Sequence, residues 1–133
     1  MSKRLLVSAG IASLLGVAPV HAAEISTHVL DISRGEGGAG VPVTLSKQRA
    51  DGSWQAVATS RTQPNGRAEN FGEPENLTPG VYLLTFDVED YYAGKSETFF
   101  PVITVVFNVT KQDSHYHVPV LLSAYGYSTY KGN

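Results

Sequence analysis

Turn residues divide most of this chain into short strand-like runs, and this division limits the possible folds more than any other feature of the sequence. The run ISTHVLDI (25–32) alternates, so that one predicted face carries Ile25, Thr27, Val29 and Asp31. Similar runs recur at a spacing of roughly 8 to 12 residues, which predicts an all-β sandwich or barrel. The further predicted strands are VPVTLSKQ (41–48), WQAVATSRT (54–62), VYLLTFDV (81–88), VITVVFNVT (102–110), HYHVPVLLS (115–123) and YGYSTYKGN (125–133).

Two stretches depart from this strand pattern. The segment EDYYAGKSETFF (89–100) could hold a helical turn or two, with Gly94 near its end. Pro119 lies inside a predicted strand, although proline lacks the N–H that a strand ladder uses and is normally kept to edges or bulges. The sequence alone leaves this conflict open.

The start of the chain has the pattern of a secretory signal. Lys3 and Arg4 precede an apolar stretch from Leu5 to Val17, and small residues follow up to Ala22. The apolar stretch is shorter than the roughly 20 residues that a membrane-spanning helix needs. We therefore expect residues 1–22 to be a signal peptide that is cleaved near Ala22, and residues 23–133 to form one folded domain.

Composition excludes several classes of partner and stabilising device. The 133 residues carry a formal net charge of −2 at pH 7, which gives no electrostatic reason to expect binding to nucleic acid or to an anionic membrane. There is no cysteine, so disulfides cannot stabilise this small exported domain. Its stability must come from packing and from any association of subunits.

Three histidines outside the signal segment are the first candidates for chemistry. His28, His115 and His117 all lie in predicted strands, and the last two share a face because side chains alternate along a strand. One interpretation is a zinc site with an open position for water. Another is a metal-free general base with an orienting partner. A third is that hydrogen bonds in the sheet simply satisfy these side chains.

Arg67 is the next candidate, and no protein nucleophile accompanies it. It follows the Asn65-Gly66 turn directly, where a planar guanidinium suits carbonyl-rich or anionic ligands, although it could equally be a solvated surface charge. The chain has no cysteine, and neither Ser26 nor Ser123 lies in a Gly-x-Ser-x-Gly turn. If the protein is an enzyme, we expect activated water to be the nucleophile.

Five motifs, in this order, resemble one family: STHVLD, AGVPVTL, NGR, ETFFP and HYHVPVLLSAYGYSTYKGN. From about Ile25 to Asn133 the chain resembles the transthyretin-related 5-hydroxyisourate hydrolases. The resemblance implies a transthyretin-like sandwich of two four-stranded sheets with one short helix. It also implies a homotetramer with sites at a dimer–dimer interface, no cofactor, and hydrolysis of 5-hydroxyisourate to 2-oxo-4-hydroxy-4-carboxy-5-ureidoimidazoline. Exported bacterial members of the family, together with the signal pattern, indicate the periplasm.

The resemblance also implies which residues form the site. His28, Arg67 and His117 match the catalytic residues of the family, with His28 and Arg67 also contacting the substrate. A histidine, either His117 or His28, would take a proton from water, and Arg67 would stabilise the developing oxyanion.

The chain ends with a tetrapeptide that departs from the family pattern. The family ends in Tyr-Arg-Gly-Ser, whereas the residues here are Tyr130, Lys131, Gly132 and Asn133. We expect these four residues to line the substrate site. Lysine keeps the charge of arginine but loses its planar fork, so the contacts that this segment makes should differ from those of the family.

Two alternatives from other functional classes remain open. The chain could be a non-catalytic, transthyretin-like carrier of a small ligand, in which case the histidines and Arg67 would be dispensable for binding. It could instead be a zinc-dependent hydrolase, which would contain stoichiometric metal and lose activity with a chelator.

Overall fold

Nine strands and one short helix form the part of the chain that the structure describes. This computed structural model describes residues 24–69, 71, 77–111 and 115–133, and the predicted signal peptide, residues 1–22, lies outside them. No helix in the described ranges is long and apolar enough to cross a membrane. The elements are β1 (Glu24–Asp31), β2 (Glu36–Gly37), β3 (Pro42–Gln48), β4 (Trp54–Arg61), β5 (Arg67–Ala68), β6 (Gly80–Asp87), α1 (Val88–Tyr92), β7 (Val102–Val109), β8 (His115–Ser123) and β9 (Gly126–Thr129).

The strands form two sheets, which confirms the predicted all-β sandwich. One sheet has the order β4-β3-β6-β7, and all its neighbours are antiparallel. The other has the order β2-β1-β8-β9, with β5 also pairing with β1, so it contains five strands instead of the expected four. The extra strand arises because β2 and β5, two residues each, occupy different parts of the same edge of β1.

Alternation along the strands of the five-stranded sheet decides which residues are buried between the sheets. On β1 the buried positions are Ile25, Thr27, Val29 and Asp31, the four residues that alternation predicts to share one face. On β8 they include Tyr116, Val118, Val120 and Leu122. The apolar residues among these pack in one core with Leu45, Leu84, Phe86 and Ile103 of the other sheet. Each large apolar side chain stabilises the fold by about 1.5–3 kcal/mol when fully buried. The intervening residues of β1 and β8 are left on the outer face of the sheet.

Helix α1 has the length of the helical turn or two predicted for residues 89–100, and it fixes the end of β1. Asp87 caps the helix by accepting a hydrogen bond of 3.0 Å from the Asp90 N–H. The buried Tyr91 hydroxyl donates to the Asp31 carboxylate at 2.6 Å. Burial, together with the neighbouring Asp31 charge, raises the pKa of Tyr91, so this phenol stays protonated and remains a donor.

Pro119 is accommodated where the ladder between β8 and the chain end is interrupted. In this antiparallel register Leu121 lies opposite Ser128 and His117 lies opposite Gly132, which places Pro119 opposite Tyr130. The His117–Gly132 pair is hydrogen-bonded, and hydrogen-bonded pairs alternate along an antiparallel ladder, so the next bond would need the N–H that proline lacks. Strand β9 accordingly ends at Thr129, and its hydroxyl donates to the Pro119 carbonyl at 2.8 Å.

The turn before Arg67 packs backbone against backbone on β1. The Gly66 carbonyl accepts from the Val29 N–H at 2.8 Å, and Gly66 has a φ of 85°. A Cβ atom on Gly66 would lie 2.1 Å from the Val29 oxygen, far closer than van der Waals contact permits. Glycine is therefore required here both for its conformation and for the close approach.

We predict that Gly66→Ala destabilises the protein much more than Gly52→Ala. Gly52 has the same φ of 85° but nothing within 4 Å of its Cβ position, so its substitution should cost only the left-handed strain of about 1–2 kcal/mol. Gly66→Ala should add about 1–3 kcal/mol for the overlap with β1. Urea unfolding at one fixed protein concentration measures both, and equal losses would contradict the close packing of this turn.

Candidate active site

Pairing of three strands places the predicted catalytic residues on one outer face. Strands β1 and β8 are parallel, with Ser26 opposite His117 and His28 opposite Pro119. Strand β5 lies on the other side of β1 and places Arg67 opposite His28. Directly opposed residues share a face of a sheet, so the structure brings the two histidines and the arginine together, each half-buried.

His117 is held by contacts around its ring and its backbone. Its Nδ1 lies 2.8 Å from the Ser26 hydroxyl, and its carbonyl accepts from the Gly132 N–H at 2.7 Å. Gly132 also packs against the ring, because a Cβ on it would lie 2.6 Å from the imidazole Cδ2. Within the described ranges the Nε2 of His117 has no hydrogen-bond partner. It is the ring nitrogen available to a ligand.

The electrostatic surroundings of His117 favour the neutral ring. Burial lowers the pKa of His117, and the nearby charges of Arg67 and His28 lower it further. Since histidine has an ordinary pKa of about 6.5, the His117 imidazole is neutral at pH 7. A neutral imidazole with an unoccupied nitrogen can accept a proton.

The Asn65 turn orients both His28 and Arg67. The Nε2 of His28 lies 2.8 Å from the Asn65 carbonyl oxygen, and a carbonyl can only accept, so this nitrogen carries the proton. The Asn65 side-chain oxygen accepts from the Arg67 backbone N–H at 3.0 Å. The ring of His28 is therefore held through one nitrogen, as the ring of His117 is held through its Nδ1.

Arg67 supplies a positive charge that its neighbours leave free. Among the described residues its guanidinium has no hydrogen bond and no ion pair. Its backbone carbonyl accepts from the Gln63 N–H at 2.8 Å, so the strand that carries it is anchored. A half-buried guanidinium beside two histidines is suited to a carbonyl oxygen or an oxyanion.

The third histidine lies on the same face but has a different partner. The Nε2 of His115 is 2.8 Å from a carboxylate oxygen of Glu24, and both side chains are largely exposed. No group of three or more histidine, cysteine, aspartate or glutamate side chains in the described parts of the chain could hold a metal ion. The described histidines thus do not assemble into the ligand set that the zinc interpretation needs.

Three of the four terminal residues divide between two surroundings. Gly132 contacts His117, as described above. Tyr130 and Lys131 instead border a cavity of about 330 Å³ at the open edge between β7 and β9. Its other lining residues are Phe107, Asn108, Tyr116, Val118 and Thr129. Tyr116 and Val118 are buried and lie on the opposite face of β8 from His117, so this cavity is separate from the histidine face.

Ser26 and Asn65 are site residues that the sequence did not single out. Alternation already places Ser26 on the same face as His28, but its partner is 91 positions away, and nothing local to the sequence indicates that β1 and β8 pair. Asn65 acts partly through its backbone carbonyl, which every residue possesses. Neither contact could be read from residue type.

Comparison with known proteins places the chain in a family. Residues 25–132 match the model of the HIUase/Transthyretin family. A probable 5-hydroxyisourate hydrolase of Caenorhabditis elegans is 41% identical over 136 residues, which covers 100% of both chains. The structure of Klebsiella pneumoniae 5-hydroxyisourate hydrolase is 33% identical with a TM-score of 0.73, covering 84% of this chain and 99% of that one.

A third similar protein has the same fold but is named transthyretin and not hydrolase. Transthyretin of Sparus aurata is 30% identical, with a TM-score of 0.77, and the match covers 81% of this chain and 95% of that one. Since the family model spans nearly all of the described residues, and the nematode relative matches along its whole length, this chain belongs to the HIUase/Transthyretin family.

Proposed function

We propose that this protein hydrolyses 5-hydroxyisourate to 2-oxo-4-hydroxy-4-carboxy-5-ureidoimidazoline, a step of urate degradation. The observation that carries the proposal is that the half-buried His117 lies on the same face as Arg67 and His28. The pKa of His117 is lowered, and no described residue occupies its Nε2. The names of the similar hydrolases from Caenorhabditis elegans and Klebsiella pneumoniae support it.

In the proposed mechanism His117 is the general base. Its Nε2 takes a proton from water while the water oxygen bonds to the lactam carbonyl carbon of the substrate. Arg67 donates hydrogen bonds to the oxyanion that forms on the carbonyl oxygen. The ring C–N bond then breaks, and the leaving nitrogen takes the proton from Nε2, which restores neutral His117. His28, fixed by Asn65, holds the substrate ring.

The complete site is proposed to form in a homotetramer, at an interface between dimers. Two features support association: the Arg67 guanidinium and the His117 Nε2 have no hydrogen-bond partner among the described residues, and the edge strand β7 exposes Val102 and Val106. Tyr130, Lys131, Gly132 and Asn133 are proposed to complete the substrate site there. We also propose that the chain is exported to a periplasm and that its signal peptide is cleaved near Ala22.

A carrier function is the second candidate, because transthyretin from Sparus aurata has the same fold. A carrier, however, needs no base and no oxyanion donor. The orientation of His117 by Ser26 and of His28 by Asn65 favours catalysis over binding alone.

We predict that the mature protein accelerates the decay of 5-hydroxyisourate and that His117→Ala removes most of the acceleration. Loss of a general base typically costs about 10²–10⁴ in rate. Substrate generated in situ with urate oxidase, followed by ultraviolet absorbance with and without chelator, measures the rate.

The matched control for this experiment is His115→Ala, two residues away on the same strand and face. His115 pairs with Glu24 at the exposed end of the sheet, so its loss should change the rate less than about threefold, as removal of a surface ion pair does. Wild-type protein without acceleration would refute the hydrolase proposal. Loss of activity only with chelator would favour zinc.

The pH dependence should report the lowered pKa of His117. Because the base must be neutral, kcat/KM should be constant near pH 7 and fall on acidification, with an apparent pKa below the ordinary histidine value of about 6.5. The same direction applies to stability: the unfolded chain binds this proton at higher pH than the folded one, so acidification through that range favours unfolding. An acid limb centred above about 6.5 would contradict the assignment.

Gly132→Ala should reduce activity by displacing the His117 ring, while Gly126→Ala should not. The added methyl at Gly132 would meet the ring at 2.6 Å, whereas at Gly126 the nearest neighbour is 3.8 Å away. We expect a loss of about tenfold or more in kcat for Gly132→Ala, since small displacements of a catalytic group can cost about 10²-fold. Equal activity of the two variants would show that the terminal segment does not hold His117.

A further inference from the structure

We propose that Ser26 is a positioning residue for catalysis, whose hydroxyl holds Nδ1 of His117 so that Nε2 is presented, unprotonated, to water. This inference rests on the proposed function and extends it to a residue outside the histidine and arginine set. Ser26 acts through His117 and does not itself touch the substrate.

The position of Ser26 is set by two neighbouring elements of regular structure. It lies on β1 directly opposite His117 of β8, and the two residues on either side of it, Ile25 and Thr27, are buried in the core. The Thr27 hydroxyl also donates to the Val118 carbonyl at 2.6 Å. Ser26 is thus fixed by a buried ladder, and its 2.8 Å contact with Nδ1 does not depend on a loop.

The hydrogen bond between Ser26 and His117 has two possible directions, with opposite consequences for catalysis. If the hydroxyl donates to Nδ1, the proton of the neutral ring is on Nε2, and the ring cannot accept a proton from water there. If the hydroxyl accepts from Nδ1–H, the lone pair of Nε2 is free. A hydroxyl can do either because it both donates and accepts, and the proposed mechanism requires the second direction.

Serine also suits this position because it is uncharged. The charged and titratable groups near His117 are Arg67, His28 and His115, which disfavour the imidazolium, and Glu69, which favours it. A carboxylate in place of the hydroxyl would favour the imidazolium and raise the pKa of the ring, so that at acidic pH more of the rings would already be protonated and unable to act as base. A neutral acceptor orients the ring without this effect.

The hydrogen bond between His117 Nδ1 and the Ser26 hydroxyl persists throughout the proposed reaction. Nδ1–H donates to the serine oxygen both before and after Nε2 takes the proton from water, so no Nδ1 proton moves. When the ring becomes an imidazolium, the bond to Ser26 becomes charge-assisted and stronger. Ser26 therefore stabilises the state in which the ring holds the transferred proton.

Three substitutions of Ser26 test this role. Ser26→Ala should lower kcat by about tenfold, the loss expected for one hydrogen bond to a group that becomes charged, and should change KM little. Ser26→Thr keeps the hydroxyl and should restore most of the rate. Ser26→Asp should move the acid limb of kcat/KM upward by about one pH unit.

The control and a direct readout separate positioning from a structural effect. Thr59→Asp adds the same charge at an exposed position of β4 in the other sheet and should leave the acid limb unchanged. Nitrogen-15 spectra of the imidazole rings should show His117 protonated at Nδ1 in the wild-type protein at pH 7, and a mixture with the Nε2-protonated form in Ser26→Ala.

Each outcome of these measurements decides the inference. Full kcat in Ser26→Ala would overturn the role of Ser26 while leaving the hydrolase proposal intact. A wild-type His117 protonated at Nε2 would overturn both the role of Ser26 and the assignment of Nε2 as the base, while the hydrolase activity itself is decided separately by the decay of the substrate. A wild-type protein without activity would overturn the hydrolase proposal itself. A loss in Ser26→Ala that Ser26→Thr restores, with the shifted limb in Ser26→Asp, would support the positioning role.

Discussion

The parallel ladder between β1 and β8 is the constraint on which the rest of the site depends. It runs from the pair Glu24–His115 to the pair Asp31–Leu122 and joins residues about 91 positions apart. Its inner face is part of the hydrophobic core, so a shift of register by one residue would expose that core and bury the histidines. Burial of one face thereby fixes the contact between Ser26 and His117 on the other.

The sequence predicts the elements of this arrangement better than their pairing. Alternation assigned His28 and Ile25 correctly to opposite faces of β1, and HYHVPVLLS was correctly predicted as a strand. Alternation is a local property of the chain, whereas the choice of β8 as the neighbour of β1 depends on long-range packing. The pairing of β2 and β5 with different parts of the same edge of β1 was likewise not predictable, because each of these strands has only two residues.

The end of the chain shows how one residue can couple fold and function. Pro119 conflicted with its predicted strand, and the structure places it opposite Tyr130, where the ladder opens. Gly132 then rejoins β8 and packs on His117. Similar proteins named transthyretin and 5-hydroxyisourate hydrolase share this fold, so function must be argued from the outer face of the sheet and not from the sandwich.

The most direct measurement of the central claim is a crystal structure with a purine-dione analogue that resembles the substrate but cannot be hydrolysed. The analogue should lie on the outer face, with a ring carbonyl within hydrogen-bond distance, about 3 Å, of the Arg67 guanidinium and with His117 Nε2 facing the carbonyl carbon or a bound water. An analogue bound instead in the cavity beside Tyr116 and Phe107, with Arg67 and His117 free, would contradict it.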